Sequence, residues 1–195
     1  MLSEKLQQIF DRYNGSLPTK IAVQEGISKE TLRQAALRGD IEKVRRGGYV
    51  LTDETADDYF LIQSNISKGI ISHESAAMFL DYGNFTPFLC HMTFPQGYNN
   101  AQLEKQNIRP SYVAKEFHEL GVTTMETWHG NEILVYNRER TVLDLLASRH
   151  STAETVERVF EDYMDDDEKD LERLYRYAKL MNRLYCLKEV ELNSA

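Results

Sequence analysis

Residues 19–51 read TKIAVQEGISKETLRQAALRGDIEKVRRGGYVL, and their spacing of small, polar and glycine positions decides the fold of the amino-terminal part. Gly26 stands where a turn between two crossing helices needs a positive φ, which glycine adopts at least cost. Ala22, four residues earlier, is small where the first of these helices must come close to the second. Ile21, Ile27, Leu32 and Ala35 follow the period that buries one side of each helix. Ser28 is a favourable N-cap for the second helix, with Thr31 at its third position, and Gly39 supplies a natural stop.

With those residues committed inward, the second helix leaves Ser28, Lys29, Glu30, Arg33 and Gln34 on its outer face, with Arg38 near its end. Arginine and glutamine so placed can make bidentate hydrogen bonds to guanine and adenine edges in a major groove. After Gly39, Ile41 and Val44 alternate with Glu42 and Lys43. Arg45-Arg46-Gly47-Gly48 then makes a tight basic turn before Tyr49-Val50-Leu51, a pattern that predicts a two-stranded hairpin with an arginine-bearing tip. A wing of this kind lies along the phosphate backbone or enters the minor groove. The whole is the pattern of a winged helix-turn-helix, and it nominates Lys20, Ser28, Lys29, Thr31, Arg33, Gln34, Arg38, Lys43, Arg45 and Arg46 as DNA-contacting residues. The competing reading is a tri-helical module of the same shape that docks on protein.

Charge separates the head from the rest. Residues 20–46 carry seven Lys or Arg against four Asp or Glu, a net +3, while the whole chain is −8 and residues 1–19 are neutral, leaving −11 on residues 47–195. Such segregation suits a head that meets phosphates and a body that does not. A net charge of only +3 predicts salt-sensitive binding that needs more than one copy of the chain on its site.

The chain's 195 residues, 42% of them hydrophobic, can support one or two compact domains and do not have the composition of a disordered chain. No apolar run approaches the roughly 20 residues of a membrane span, and MLSEKLQQIFDRYN is an amphipathic helix with none of the features of a signal sequence. A cytoplasmic protein is expected. Cys90 and Cys186 lack a CxxC context and fit buried, reduced thiols there; neither a metal nor a cofactor is expected.

Leu2, Leu6, Ile9 and Phe10 mark the buried face of a first helix that Asn14-Gly15 ends. Thr52 or Asp53 reads as the cap of a connecting helix through about Ser64, packed by Ala56, Tyr59, Phe60 and Ile62. The expected architecture is therefore α+β: a winged helix-turn-helix at 1–52, then a mixed domain at 53–195 that opens with the connecting helix (53–66). In ISHESAAMFLDYG, Ser72 and Ser75 bracket a helix start carrying Ala76, Ala77, Phe79 and Leu80. Short strand-like runs follow at Phe88–Phe94, Tyr112–Phe117, Val122–Trp128 and Glu132–Tyr136, broken by Pro95, Pro110, Gly121 and Gly130. NRERTVLDLLASR begins a further helix, and the region to Ala195 reads as helical throughout.

The chain resembles the AbiEi-type antitoxins of bacterial type IV toxin–antitoxin and abortive-infection systems. The likeness covers most of its length and is carried by VRRGGYVL closing the winged head, ISHESAAMFL beyond it, and NRERTVLDLL after a strand pair. It implies a cytoplasmic autorepressor that binds inverted repeats upstream of its own operon and counteracts a partner toxin resembling a nucleotidyltransferase. By position it assigns DNA contacts to Lys29, Arg33, Gln34, Arg45 and Arg46 and antitoxicity to the C-terminal domain. Family members often carry a basic face on that domain, whereas this body is acidic.

One local exception lies in DLERLYRYAKLMNRLYCLKEV, read as a single last helix with Arg176, Lys179 and Arg183 at i, i+3 and i+7 and Arg173 a turn earlier. This basic stripe is either an ordinary solvated face or a patch for the toxin or a nucleic acid. Leu171, Leu174, Ala178, Met181 and Tyr185 line another side. Asp165-Asp166-Asp167-Glu168 lacks the glycine and distal glutamate of a calcium loop and reads as a turn between helices. The five histidines are scattered, and His73 beside Glu74 reads as a helix cap or interdomain hydrogen bond more than as acid–base machinery. Without a glycine-rich phosphate loop, a nucleophile elbow or paired carboxylates beside a lysine on a strand, an enzyme is not expected. The rival function is a winged-helix regulator that senses a small molecule and has no toxin partner.

Overall fold

The computed structural model describes residues 2–101 and 103–193. The chain is α+β, with nine α-helices and two sheets among the described residues. It forms two compact units, one made of residues up to Ser67 together with Met125–Ile133, the other of Lys68–Thr124 and the residues from Leu134 onward.

In the first unit, α1 (Glu4–Arg12) starts at Ser3, whose hydroxyl accepts from Leu6 N–H at 3.4 Å. It buries Leu6, Ile9 and Phe10 and stops where Asn14 takes a φ of 49°. A short strand, β1 (Ser16–Pro18), leads directly into α2 (Thr19–Gln24) and α3 (Lys29–Leu37), which are followed by β2 (Ile41–Arg45) and β3 (Gly48–Leu51). The three strands form an antiparallel sheet in the order β1-β3-β2. The first strand is an addition to what the sequence predicts, since three residues ending in proline carry no alternation to read.

The turn between α2 and α3 closes with Gly26 at φ 81°, Gly26 N–H bonded to Val23 C=O at 3.0 Å and Ile27 N–H to Ala22 C=O at 2.8 Å. These two bonds make a Schellman motif, which satisfies carbonyls that the helix end leaves orphaned. Ala22, Leu32 and Ala35 are completely buried and join Ile27, Ile41, Tyr49, Leu17 and the α1 residues in one apolar core. The connecting helix begins later than expected. Here α4 (Asp58–Asn65) is capped by Asp57, whose carboxylate accepts from Phe60 N–H at 3.2 Å; Thr52 instead donates to Gly39 C=O at 2.7 Å, and Asp53 sits at φ 76° in a turn.

Asp57 is 2% exposed and lies at the centre of a polar knot. Its N–H donates to Ser16 Oγ at 2.9 Å, and its second carboxylate oxygen accepts from Thr127 Oγ1 at 2.5 Å and Asn131 Nδ2 at 2.9 Å. Asn131 also donates to Tyr13 C=O at 3.2 Å. Through these bonds the segment Met125–Ile133 belongs to the first unit, which thus runs past residue 52 and takes in a piece of chain from much later in the sequence.

The second unit begins with β4 (Ile70–Ile71) and α5 (His73–Phe79), followed by β5 (Cys90–Pro95), β6 (Ile108–Val113), β7 (Val122–Glu126) and β8 (Glu132–Tyr136). The sheet order is β6-β5-β4-β8-β7, with β5/β6 and β4/β8 parallel. The strand expected at Tyr112–Phe117 lies earlier, and Lys115–Phe117 is a 3₁₀ turn. Pro110 does not break β6, because β6 is an edge strand and a missing N–H on its open side costs no ladder bond. Cys90 and Cys186 are buried as separate thiols.

Four helices complete this unit: α6 (Arg138–Leu146), α7 (Ala153–Asp165), α8 (Leu171–Leu180) and α9 (Leu184–Asn193). Their core contains Ala77, Val142, Leu143, Val159, Tyr163, Leu174 and Ala178. The single last helix of the sequence reading is two helices. Asn182 adopts φ 55°, with Arg183 N–H on Ala178 C=O at 2.7 Å and Asn182 N–H on Lys179 C=O at 3.2 Å, a second Schellman stop. Asparagine tolerates the left-handed conformation well enough to end a helix there.

Candidate nucleic-acid interface

The first unit presents α3 beside the β2–β3 hairpin. Ser28 caps α3 by accepting from Thr31 N–H at 3.0 Å, and the two hydroxyls lie 2.9 Å apart. This fixes the start of the helix and leaves Ser28, Lys29, Glu30, Thr31, Arg33 and Gln34 exposed along its first two turns. Leu32 and Ala35, both fully buried, set the rotation of the helix about its axis.

On that face Glu30 is a focus. Arg33 donates to it twice, through Nε at 2.9 Å and Nη2 at 2.7 Å, and Gln34 donates through Nε2 at 2.7 Å. The Arg33 bonds first, and then that of Gln34, hold the Glu30 carboxyl down at about 2. All three side chains stay in solvent, with Arg33 59% and Glu30 61% exposed. Exposed pairs of this sort contribute little to stability. Sequence reading put Glu30 on the outer face without giving it a role; its spacing of three to Arg33 and four to Gln34 is the signal that could have done so.

The hairpin tip is braced from α4. Asn65 Nδ2 donates to Leu61 C=O at 2.8 Å and to the carbonyls of Arg46 and Gly47 at 3.4 Å each. A Cβ on Gly47, which has φ 79°, would lie 2.6 Å from Asn65 Oδ1, so both the turn and its brace require glycine there. Thr19 N–H reaches Gly47 C=O at 2.8 Å and ties the start of α2 to the same turn.

The ten nominated residues fall into different settings. Lys20, Lys29, Arg33, Gln34, Lys43 and Arg46 are exposed, as are Ser28 and Thr31 at the cap. Arg38 is exposed but pairs with Asp40 at 2.9 Å. Arg45 is turned back onto Asp58 of α4, its side chain 21% exposed and its Nε buried without a hydrogen-bond partner among the described residues. Of the two hairpin arginines, then, Arg46 alone extends into solvent. Between α3 and the hairpin runs a groove of about 650 Å³. Lys29, Arg33 and Lys43 give it basic edges, and Ala36, Leu37, Ile41 and Tyr49 an apolar lining.

In the second unit the basic stripe divides. Arg173 bonds Glu139 at 3.2 Å and Asp170 at 3.1 Å, and Arg183 bonds Asp144; Glu139 is 1% and Asp144 3% exposed. Arg183 also lies beyond the end of α8, so the i, i+3, i+7 register stops at Lys179. Only Arg176 and Lys179 remain exposed, with Arg176 near the Tyr177 ring at 5.9 Å. The buried carboxylates that take the other two arginines, Glu139 and Asp144, come from α6, where Arg140 is fully buried. Its Nε donates to Asp144 at 3.0 Å, its Nη1 to the carbonyls of Phe117 and Leu120 at 2.7 Å each, and its guanidinium lies 4.1 Å from the Tyr136 ring centre. Three of the four charges of NRERTVLDLL, Glu139, Arg140 and Asp144, are thus internal, while Arg138 is part-exposed.

His73 and His91 face each other with ring centres 6.3 Å apart. His73 opens α5 at φ 50° with Nδ1 on Ser72 Oγ at 3.0 Å. Burial pushes the His73 pKa below its usual value and that of His91 to about 3, and Glu74, 3.8 Å from His91 Nε2, does not offset it. Asp166, in the acidic run, accepts from Tyr82 and from Arg138 at 2.8 Å, holding the turn after α7. Among the described residues no three His, Cys, Asp or Glu side chains are grouped to hold a metal, and no helix is long and apolar enough to cross a membrane.

No protein-family model matches the chain, and no curated protein matches it. Among solved structures it is similar to the crystal structure of the RV2827C protein from Mycobacterium tuberculosis, with a TM-score of 0.60, 11% sequence identity, and coverage of 92% of this chain and 72% of that one. At that identity the likeness is one of fold.

Proposed function

We propose that the first unit is a winged helix-turn-helix that binds DNA, with α3 in the major groove and the β2–β3 hairpin as the wing. The observation that carries this reading is the exposure of Lys29 and Arg33 on α3 and of Lys43 on the hairpin along one groove, with Gln34 and Arg46 exposed on the same two elements. A buried set of apolar residues fixes both elements beneath them. Guanidinium and amide groups held at that spacing suit base edges, and a braced arginine tip suits phosphates.

On the resemblance of its three ordered motifs to AbiEi-type antitoxins, the chain is an autorepressor that binds inverted repeats in its own promoter and counteracts a nucleotidyltransferase-like toxin in phage defence. The acidic second unit carries the antitoxin role in this reading. Two measurements test it. The purified chain shifts DNA from its own promoter with an affinity that falls as salt rises; no shift at low salt overturns autorepression. Co-expression with the adjacent nucleotidyltransferase-like gene relieves that gene's toxicity; toxicity unrelieved by the full chain overturns the antitoxin role.

A further inference from the structure

We propose that Glu30 is a positioning residue that sets how selectively α3 reads DNA, by presenting Arg33 end-on and denying its side edge to phosphates. This rests on the DNA-binding reading above.

A guanidinium offers five N–H donors in a rigid plane. Glu30 takes the Nε and Nη2 edge of Arg33 in a two-bond fork at 2.9 and 2.7 Å. Three N–H groups are left, and of these the second on Nη2 and one on Nη1 lie parallel at the opposite end. That end matches the O6 and N7 acceptors of guanine. An unpinned arginine on the same helix could instead swing to any phosphate in reach, which raises affinity for every sequence and discriminates among none. Glu30 restrains it in two ways: the fork removes rotational freedom, and the carboxylate repels phosphates that approach from its side.

The position supports a role beyond stability. Glu30 lies in the first turn of α3, two residues after the Ser28 cap, and its carboxylate takes three donors while exposed. Exposed pairs three and four apart on a helix add little to its stability. Three bonds converging on one exposed carboxylate add little to folding and much to the orientation of the two groups best suited to read bases.

The test compares the wild type, Glu30→Ala, Arg33→Ala and the double variant on two duplexes: the segment upstream of the chain's own coding sequence, and a scrambled duplex of equal length and composition. Thermal melting first establishes that each variant is folded. Binding is followed by fluorescence anisotropy over a range of salt. Glu30→Ala is expected to lower the ratio of specific to scrambled affinity about tenfold, within the discrimination one bidentate base contact supplies. It should also tighten scrambled binding and steepen its salt dependence by about one phosphate contact. In the Arg33→Ala background the same change should leave the ratio unmoved, because the group being positioned is gone. A ratio unchanged by Glu30→Ala, or changed equally in both backgrounds, overturns the inference and leaves DNA binding intact. A wild type that binds both duplexes equally also overturns it. A wild type that binds neither overturns the parent reading and this inference with it.

Discussion

Asn131 donates to the Asp57 carboxylate at 2.9 Å across seventy-four positions of chain. Asp57 also caps α4 and accepts from Thr127, so a nearly fully buried carboxyl group is satisfied by hydrogen bonds from α4 and from the β7–β8 connection. Removing the carboxylate leaves those donors unpaired in a dry site, and hydrogen bonds to charged groups are worth about 1.5–3 kcal/mol each. Asp57→Ala should therefore destabilise the first unit by about 3 kcal/mol in urea unfolding, and Asn131→Ala by less. The double variant should lose less than the two losses combined. Strict additivity would show that the two side chains do not act together.

Asp144 is a second such group, shared by Arg140 and Arg183. Asp144→Ala leaves the buried Arg140 guanidinium without its counter-ion, and breaking a buried pair from one side costs about 3–5 kcal/mol. Lys179→Ala, on the exposed part of α8, should change stability by less than about 0.5 kcal/mol. Similar effects of the two substitutions would contradict the division of the basic stripe drawn from their settings.

Arg33 and Arg46 should differ in how they affect binding. If α3 reads bases and the hairpin touches phosphates, Arg33→Ala weakens binding to the promoter duplex by about 1–3 kcal/mol and leaves scrambled DNA less affected. Arg46→Ala weakens all duplexes alike and reduces the salt slope by about one. Equal loss of specificity from both substitutions would contradict these roles, and electrophoretic shifts over a salt series would reveal it.

The legible parts of the fold are those written in local chemistry. Ser28, Gly26, Gly39 and the Arg46-Gly47 turn each specify their own neighbourhood, and α3 with its hairpin follows from them. The rest depends on contacts made far along the chain. Nothing around Asp57 shows that its partners are Thr127 and Asn131, so local chemistry points to Thr52 or Asp53 as the cap of α4, ahead of the true one. In NRERTVLDLL, apolar spacing identifies Val142 and Leu143 as core but cannot show that Arg140 and Asp144 are buried too, since their burial needs carbonyls from residues 117 and 120. Asn182 looks like any polar helix residue until its positive φ is seen.

Acidification should act through the histidines of α5 and β5. The ordinary histidine value is 6.5, and burial holds His91 at about 3, with His73 shifted in the same direction. Below pH 6.5 the unfolded chain takes up protons that the folded chain refuses, so stability is greatest above that pH and falls steadily as pH drops toward 3. The slope approaches about 1.4 kcal/mol per pH unit for each such histidine. His91→Gln should flatten the curve in denaturant titrations across that interval; an unchanged slope would show that His91 is not protonated on unfolding there.

The membership of Met125–Ile133 in the first unit bears on the order in which a growing chain becomes competent. A ribosome that has made everything through Ser67 has produced α3, the hairpin and α4, but none of the donors that Asp57 takes from Thr127 and Asn131. Domains near the amino terminus ordinarily finish folding first during synthesis. Here the closing contacts of the first unit are made late, across a long loop whose closure costs entropy. If that unit represses transcription, the signal it sends reports chains carried well into their second half, and prematurely terminated fragments contribute little to it.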